Sequence, residues 1–168
     1  MEFNEYMIKR LKTPLERFLS FLIYVAATIL AFVSLTLLLR YSGIGLLVAV
    51  AFYYFAHKLS SQMNKEFEYI RTEDIVDIDV IMNTTKRKRL ISFSVKNVDI
   101  IASLNNPTYN ARLKENFTKV IDATSGRRDA NVYFAIISDK NTLVKFEPPY
   151  SILTNLKTYA PSKVIIDE

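Results

Sequence analysis

The stretch IVDIDVIMNTTKRKRLISFSV, residues 75–95, contains the pattern that decides the fold of this chain. Acidic residues interrupt the apolar ones near its start, and serines do so near its end. This period of two is typical of half-buried strands, and the two segments predict an antiparallel pair. We expect these cross-strand neighbours: Val80 with Ile91, Ile78 with Phe93, Val76 with Val95, Asp79 with Ser92 and Asp77 with Ser94. This register leaves most of the basic run, Lys86 to Arg89, at the hairpin tip.

Five more segments outside this stretch also have the composition of short strands, which makes seven strands in all. They are FEYIR (residues 67–71), VDIIASL (98–104), KVIDATS (119–125), VYFAIIS (132–138) and TLVKFEP (142–148). The short connection from Asp139 to Asn141 predicts that the last two form a hairpin.

Beyond Pro148 and Pro149 the spacing of apolar residues becomes helical. The apolar positions are Ile152, Leu153, Leu156 and Tyr159. We therefore predict a mainly-β domain of about seven antiparallel strands, a partly open barrel or sandwich, capped by a C-terminal α-helix.

Towards the N-terminus the chain contains two uncharged apolar segments. The first, residues 18–39, follows a helix-start signal, in which Thr13 and Glu16 can form a capping box around Pro14. At about 1.5 Å per residue it is long enough to cross a bilayer. The second runs from a turn at residues 41–45 to His57 and reaches only about 25 Å. We predict a two-helix transmembrane hairpin over residues 14–58, and a cleaved signal peptide is the alternative for the first segment.

Charges at the ends of this hairpin predict its orientation. The residues placed at the membrane interface are Lys9, Arg10, Lys12, Arg17, His57 and Lys58. Only Arg40 lies in the intervening turn, so the positive-inside rule places both termini in the cytoplasm, at the cell inner membrane. The domain boundaries are then a cytoplasmic segment 1–13, the hairpin 14–58 and a cytoplasmic β domain 64–168. Small residues spaced four apart favour close packing of the two helices: Ala27, Ala31, Gly45 and Ala49.

Seven short strands followed by one helix resemble a pleckstrin-homology-like (PH-like) domain. The pattern EYIRTEDIVDIDV, a basic loop and LISFSV is similar to the bacterial membrane-anchored form, in which paired spans precede the first strands. The resemblance covers about residues 17–160, and the whole chain resembles a family of small two-span bacterial proteins. Many PH domains bind phosphorylated inositol lipids through an early basic loop, which the resemblance places on Lys86, Arg87, Lys88 and Arg89.

The basic run, Lys86, Arg87, Lys88 and Arg89, has three interpretations. Four cations near an anionic leaflet can each gain about 1 kcal/mol, which favours docking on lipid or on a protein partner. A solvated hairpin tip is the simpler alternative. Nucleic acid is disfavoured, because the portion from Lys58 onward has 17 Lys and Arg against 14 Asp and Glu, a net charge of only +3.

The residue inventory contains few groups for chemistry. With no cysteine and one histidine, His57, the chain lacks thiolate zinc sites, a cysteine nucleophile and an imidazole pair. Asp77 and Asp79 lie on one side of a strand, which is more typical of a polar sheet face than of paired catalytic carboxylates. We therefore expect no catalytic, cofactor or metal site. An interfacial residue is the preferred interpretation of His57, with a pH sensor as the alternative.

These observations lead to one expected function and one alternative. We expect a non-enzymatic module, held at the inner leaflet, that binds protein partners or anionic lipid, and that self-associates or joins a larger membrane assembly through the hairpin or a sheet edge. The alternative is a component of an enzyme or transport complex whose site is shared between chains, with Asp77, Asp79 and the basic loop contributing to it.

Overall fold

The structure is a computed structural model that describes residues 3–42, 44–83, 85–107 and 109–166. It consists of two compact units. The described residues of Met1–Arg10 and Glu66–Glu168 form a β unit, and Leu11–Lys65 form a helical unit. The helical unit is therefore an insertion into the β unit in the order of the chain.

The helical unit contains α1, Pro14–Ser42, and α2, Gly45–Ser61. Glu16 N donates to Thr13 Oγ1 at 3.2 Å, and Thr13 N donates to Glu16 Oε2 at 2.8 Å, so the predicted capping box and helix start are confirmed. α1 continues through Arg40 to Ser42, because no helix-breaking residue precedes Gly43. The predicted turn at 41–45 is thus shorter than expected, and Gly43 lies outside the described residues.

Small residues form the interface between α1 and α2. Ala27, Ala31 and Ala49 are each no more than 6% exposed, and Gly45 is buried, as their spacing predicted. Side-chain hydrogen bonds also join the antiparallel helices: Tyr24 Oη with His57 Nδ1 (3.4 Å), Thr28 Oγ1 with Tyr53 Oη (3.0 Å) and Ser34 Oγ to Gly45 O (3.3 Å). Just beyond the end of α2, Met63 Sδ accepts a hydrogen bond from Ser20 Oγ at 3.4 Å.

The two helices differ in length. Among the described residues, one helical segment is long and apolar enough to cross a membrane, Pro14–Leu37. α2 has only 17 residues, which span about 25 Å. The helical hairpin is present in the structure, whereas the crossing of a bilayer by both helices stays a prediction.

The described residues of the β unit form eight strands in two four-stranded sheets. The strands are β1 Phe3–Lys9, β2 Lys65–Thr72, β3 Ile75–Met82, β4 Lys86–Ser94, β5 Val98–Ser103, β6 Lys119–Asp122, β7 Tyr133–Ile137 and β8 Thr142–Phe146. The first sheet has the order β1-β2-β3-β4, and the second has the order β5-β7-β8-β6. All seven predicted strands are present, and β1 is an eighth that sequence analysis missed.

The pairing of β3 with β4 is antiparallel as predicted, but the predicted register is wrong by two residues. Val76 lies opposite Phe93, and Ile78 lies opposite Ile91. A bulge between Ile78 and Asp79 then shifts the pairing again. Because side chains alternate with period two, a slip of two residues keeps every apolar residue on the core face, and the pattern cannot distinguish the two registers.

The second sheet confirms the predicted hairpin of β7 and β8, whose turn residue Asn141 adopts a left-handed φ of 41°. β6 pairs with β8 in parallel, so the sheet is mixed, which corrects the expectation of antiparallel strands throughout. Short 3₁₀ helices occupy Val95–Asn97, Asn110–Lys114 and Ser138–Lys140.

The core lies between the two sheets and is closed by the C-terminal helix. α3, Tyr150–Tyr159, buries Ile152, Leu153 and Leu156 in that core, as their spacing predicted, whereas Tyr159 is 39% exposed. Tyr69, Phe93 and Phe146 form edge-to-face ring contacts across the sheets, with centroids 6.0 and 6.4 Å apart. The mainly-β architecture with its C-terminal helix is therefore confirmed.

Candidate interaction surfaces

The basic run lies within strand β4 and not at a hairpin tip, which corrects the predicted position. Lys86 pairs with Met82 and Arg89 with Asp79. The turn is short because Asn83 adopts a φ of 51° and Thr85 N donates to Met82 O at 3.3 Å. Thr84, between them, lies outside the described residues. Since neighbouring strand residues face opposite sides, the run is divided between the two faces of the sheet.

Two of the four basic residues make ion pairs within the β unit. Arg89 Nη1 lies 2.9 Å from Asp77 Oδ2, and Arg89 Nε lies 2.9 Å from Asp79 Oδ1. The side chain of Asp79 is only 5% exposed, so this part of the sheet is not the open polar face that the alternation indicated. Because Arg89 neutralises both carboxylates, they are ill-suited to act as a general acid and base.

Glu68 is the third acidic residue on this face, and its side chain is fully buried. Its Oε1 lies 2.5 Å from Arg87 Nη2, while Oε2 has no hydrogen-bond partner within the described residues. Burial, with a smaller contribution from the neighbouring Glu5, raises the pKa of Glu68 from 4.5 to about 7, and Arg87 opposes the rise. Sequence analysis missed this residue, because nothing in FEYIR distinguishes a buried glutamate from an exposed one.

Lys86 and Lys88 differ from the two arginines. Both are exposed, and no ion pair involves either of them within the described part of the chain. Their cross-strand neighbours are the apolar Met82 and Val80. Of the predicted lipid-binding set, these two lysines are therefore the ones available to an external anion.

A groove runs beside β1 and is the second surface that sequence analysis missed. One part has a volume of about 260 Å³ and is lined by Tyr6, Met7, Ile8, Lys9, Ser125, Arg127 and Glu147. It adjoins a second part of about 310 Å³, to which Pro149 and Tyr150 contribute. Ser125 N and Oγ donate to Glu147 Oε1 at 2.7 and 2.9 Å, so this oxygen of Glu147 already has hydrogen-bond donors within the β unit. The groove is lined by segments more than a hundred residues apart in the sequence, so no local motif predicts it.

The residues predicted at the membrane interface are divided between the two units. Lys9 and Arg10 belong to the β unit, where Lys9 Nζ lies 3.7 Å from Glu66 Oε1. The other four belong to the helical unit: Lys12, Arg17, His57 and Lys58. Lys12 Nζ donates to Ser60 O at 3.3 Å, which places a cation at the C-terminal end of α2.

Among the residues that the structure describes, no three or more His, Asp and Glu side chains lie close enough together to hold a metal ion. The expectation of no catalytic or cofactor site stays a prediction.

Comparison with known proteins agrees with this architecture. Neither the curated proteins nor the solved structures gave a significant match. A family model described as "Bacterial PH-like domain (DUF6106)" matches residues 2–166, nearly the whole chain and including the helical insertion. The two sheets, the C-terminal helix and this match together show that the chain belongs to the bacterial PH-like domain family DUF6106.

Proposed function

We propose that this protein is a non-enzymatic, membrane-anchored interaction module. The helical unit enters the inner membrane, and the PH-like β unit stays on the cytoplasmic side, where it binds protein partners and anionic lipid. The main support for membrane anchoring is the distribution of side chains on the α1–α2 hairpin. The hairpin buries small residues between its helices and exposes large apolar ones.

The exposed side chains of the hairpin are those that a water-soluble protein buries. Phe21 is 61% exposed, Phe32 is 66% exposed and Leu47 is 71% exposed. Each such side chain costs roughly 1.5–3 kcal/mol when it stays in water. Only an apolar solvent makes this surface favourable, and a bilayer supplies that solvent.

Because α2 is short for a full crossing, its aromatic end lies at the membrane interface. Tyr53 and Tyr54 are exposed near the C-terminal end of α2, where amphipathic rings are common at headgroup depth. Local thinning of the bilayer accommodates the remaining mismatch at modest cost. The antiparallel hairpin returns both of its ends to one side, and the flanking Lys12 and Lys58 favour the cytoplasmic side.

Single-cysteine labelling tests the anchor, because the natural chain has no cysteine. In intact bacteria, an impermeant maleimide should label Ile44→Cys, next to the hairpin turn, and should not label Ser162→Cys in the β unit. Permeabilised cells should give labelling of both. Labelling of Ser162→Cys from outside, or a monodisperse protein in buffer without detergent, would contradict the proposal.

The lipid-binding part of the proposal depends on Lys86 and Lys88, since Arg87 and Arg89 are already paired. Amine acetylation of the full chain in nanodiscs measures their protection. We expect acetylation of both lysines to be several-fold slower in anionic than in neutral discs, because the leaflet attracts and covers them. Lys119, exposed on β6, is the internal control. Equal rates in the two lipids would contradict lipid docking and leave protein partners as the function of the β unit.

A further inference from the structure

The two sheets of the β unit have four edges, and three of them are protected against further pairing. β4 has two exposed lysines on its outer half and a bulge in its pairing. β5 is covered by the C-terminal segment, since Ile165 N donates to Ile101 O and Ile101 N donates to Lys163 O, both at 2.8 Å. β6 has only four residues. Each of these features is a known way to prevent strand addition.

The fourth edge, β1, lacks the bulge, the covering segment and the short length that protect the others, and its one lysine, Lys9, lies at its C-terminal end. It is seven residues long, contains no proline or glycine, and pairs with β2 without interruption from Phe3 to Lys9. Within the described residues no strand pairs with its other side. Tyr6 and Met7 are 41% and 46% exposed along it, and the groove described above follows Tyr6 to Lys9. An edge of this kind is available to an additional strand.

The sequence of β1 is complementary to itself in one antiparallel register. With a two-fold axis at Met7, Glu5 of one copy lies opposite Lys9 of the other, and this pair occurs twice. An axis at Tyr6 instead places Glu5 opposite Met7, and an axis at Glu5 places two glutamates opposite each other. A two-fold axis midway between two residues would set side chains on opposite faces of the sheet against each other, so such an axis is excluded. Only the Met7 register gives two cross-strand ion pairs.

The charges already present on this face favour the same register. Glu5, Glu66 and Glu68 lie on the side of β1 and β2 that faces away from the core, and the side chain of Lys9 is 80% exposed. The carboxyl groups of Glu5 and Glu68 are neighbours in this structure. Lys9 of a second copy would place a cation beside this pair of acids. Charge complementarity therefore identifies a second copy of this chain as the occupant of the edge.

We propose that β1 of one copy pairs antiparallel with β1 of a second copy about a two-fold axis at Met7, which joins the two first sheets into one eight-stranded sheet. This inference deepens the proposed function, since it names a partner of the β unit. One strand pair contributes only about 0.2–1 kcal/mol per side-chain pair, so the contact alone is weak. Anchoring both copies in one membrane raises their effective concentration and favours pairing.

Disulfide cross-linking of the full chain in detergent micelles and in nanodiscs tests the register. Met7→Cys should form a disulfide dimer under mild oxidation, because directly opposite residues of antiparallel strands lie within disulfide range. Val120→Cys is the matched control, since Val120 is 57% exposed on the edge strand β6. A mixture of Glu5→Cys and Lys9→Cys chains should form the mixed dimer in preference to either homodimer. Equal dimer yields from Met7→Cys and Val120→Cys would overturn the proposal.

Charge exchange tests the ion pairs independently of cysteine chemistry. Glu5→Lys and Lys9→Glu should each lower the dimer fraction, by roughly fivefold, because each substitution sets like charges opposite each other at two places. The double variant Glu5→Lys/Lys9→Glu should restore the dimer. Failure of the double variant to restore it would contradict the register.

Cross-linking of the unsubstituted chain is a final test, and its result does not depend on whether any variant folds. A carbodiimide should join Glu5 of one copy to Lys9 of another, and mixed heavy and light chains reveal the link by mass spectrometry. Absence of that link in both micelles and nanodiscs overturns the proposal. The micelle result does not depend on insertion into a bilayer, so it separates failure of this inference from failure of the anchor.

Discussion

The helical unit and the β unit place their apolar residues in opposite ways. In the helical unit, alanine, serine and glycine lie between the helices while leucine and phenylalanine face outward. In the β unit, Ile78, Phe134 and Phe146 are fully buried. The same side chains therefore occupy opposite positions within one chain of 168 residues. Under the proposed membrane anchor, burial has to be judged against the solvent of each unit, lipid for the helices and water for the β unit.

The largest expected effect comes from separating the two units. Lys9 and Glu66 are cross-strand partners, so an Asn-Gly turn can replace residues 10–65 without altering the pairing of β1 with β2. We expect this variant to be a folded, monodisperse protein in detergent-free buffer, measured by circular dichroism and size exclusion.

Deletion of residues 1–65 is the control for that experiment. It removes β1 and its ring contact between Tyr6 and Tyr69, with centroids 6.4 Å apart, and exposes the edge of β2. We expect this variant to aggregate. If both variants aggregate, the β unit does not fold independently of the helices.

Truncation of one large residue in each unit tests the comparison directly. Ile78→Ala should lower the free energy of unfolding of the β unit by about 2–5 kcal/mol, because it leaves a cavity in the core. Leu47→Ala, at a position 71% exposed on α2, should change the stability of the hairpin in micelles by less than about 1 kcal/mol. Hydrogen exchange of the full chain in detergent measures both. If the two substitutions lowered the free energy of unfolding by similar amounts, the two units would not differ in where they bury large apolar residues.

The pH dependence of the β unit should depend on Glu68. Its pKa is raised in the fold, so as pH rises from 4.5 to about 7 the unfolded chain loses its proton first and the free energy of unfolding falls. The fall amounts to at most about 3 kcal/mol and ends above pH 7. Glu68→Gln should remove this decline in denaturation measured across that range, whereas Glu115→Gln, on an exposed 3₁₀ end, should keep it. An unchanged slope in Glu68→Gln would show that another group titrates.

Replacing a small residue by a larger one should destabilise the hairpin only where the residue lies between α1 and α2. Ala31→Leu should destabilise the packing of α1 on α2 by about 1–2 kcal/mol, because the helices cannot approach as closely. Ala26→Leu, exposed on the same helix, is the matched control and should be neutral. Titration with sodium dodecyl sulfate measures the loss of interhelical contact. Equal effects would mean that the small residues do not form the interface.

Several features were predictable because they depend on local patterns. The start of α1 follows from Thr13, Pro14 and Glu16, whose capping bonds need no distant partner. β1 was not predictable in the same way, since the strand with which it pairs, β2, begins 56 residues after β1 ends. The groove beside it and the burial of Glu68 were missed for the same reason.

The sequence by itself determined the apolar segments, the faces of seven strands and the amphipathic C-terminal helix, because hydrophobic periodicity reports which side of an element is buried. Only the tertiary structure decided the register of β3 on β4, the addition of β1 to the first sheet and the division of the basic run. Its two arginines make ion pairs, and its two lysines make none with the described residues. Those features depend on which segments become neighbours, and a period of two is unchanged by every even shift of one strand along another.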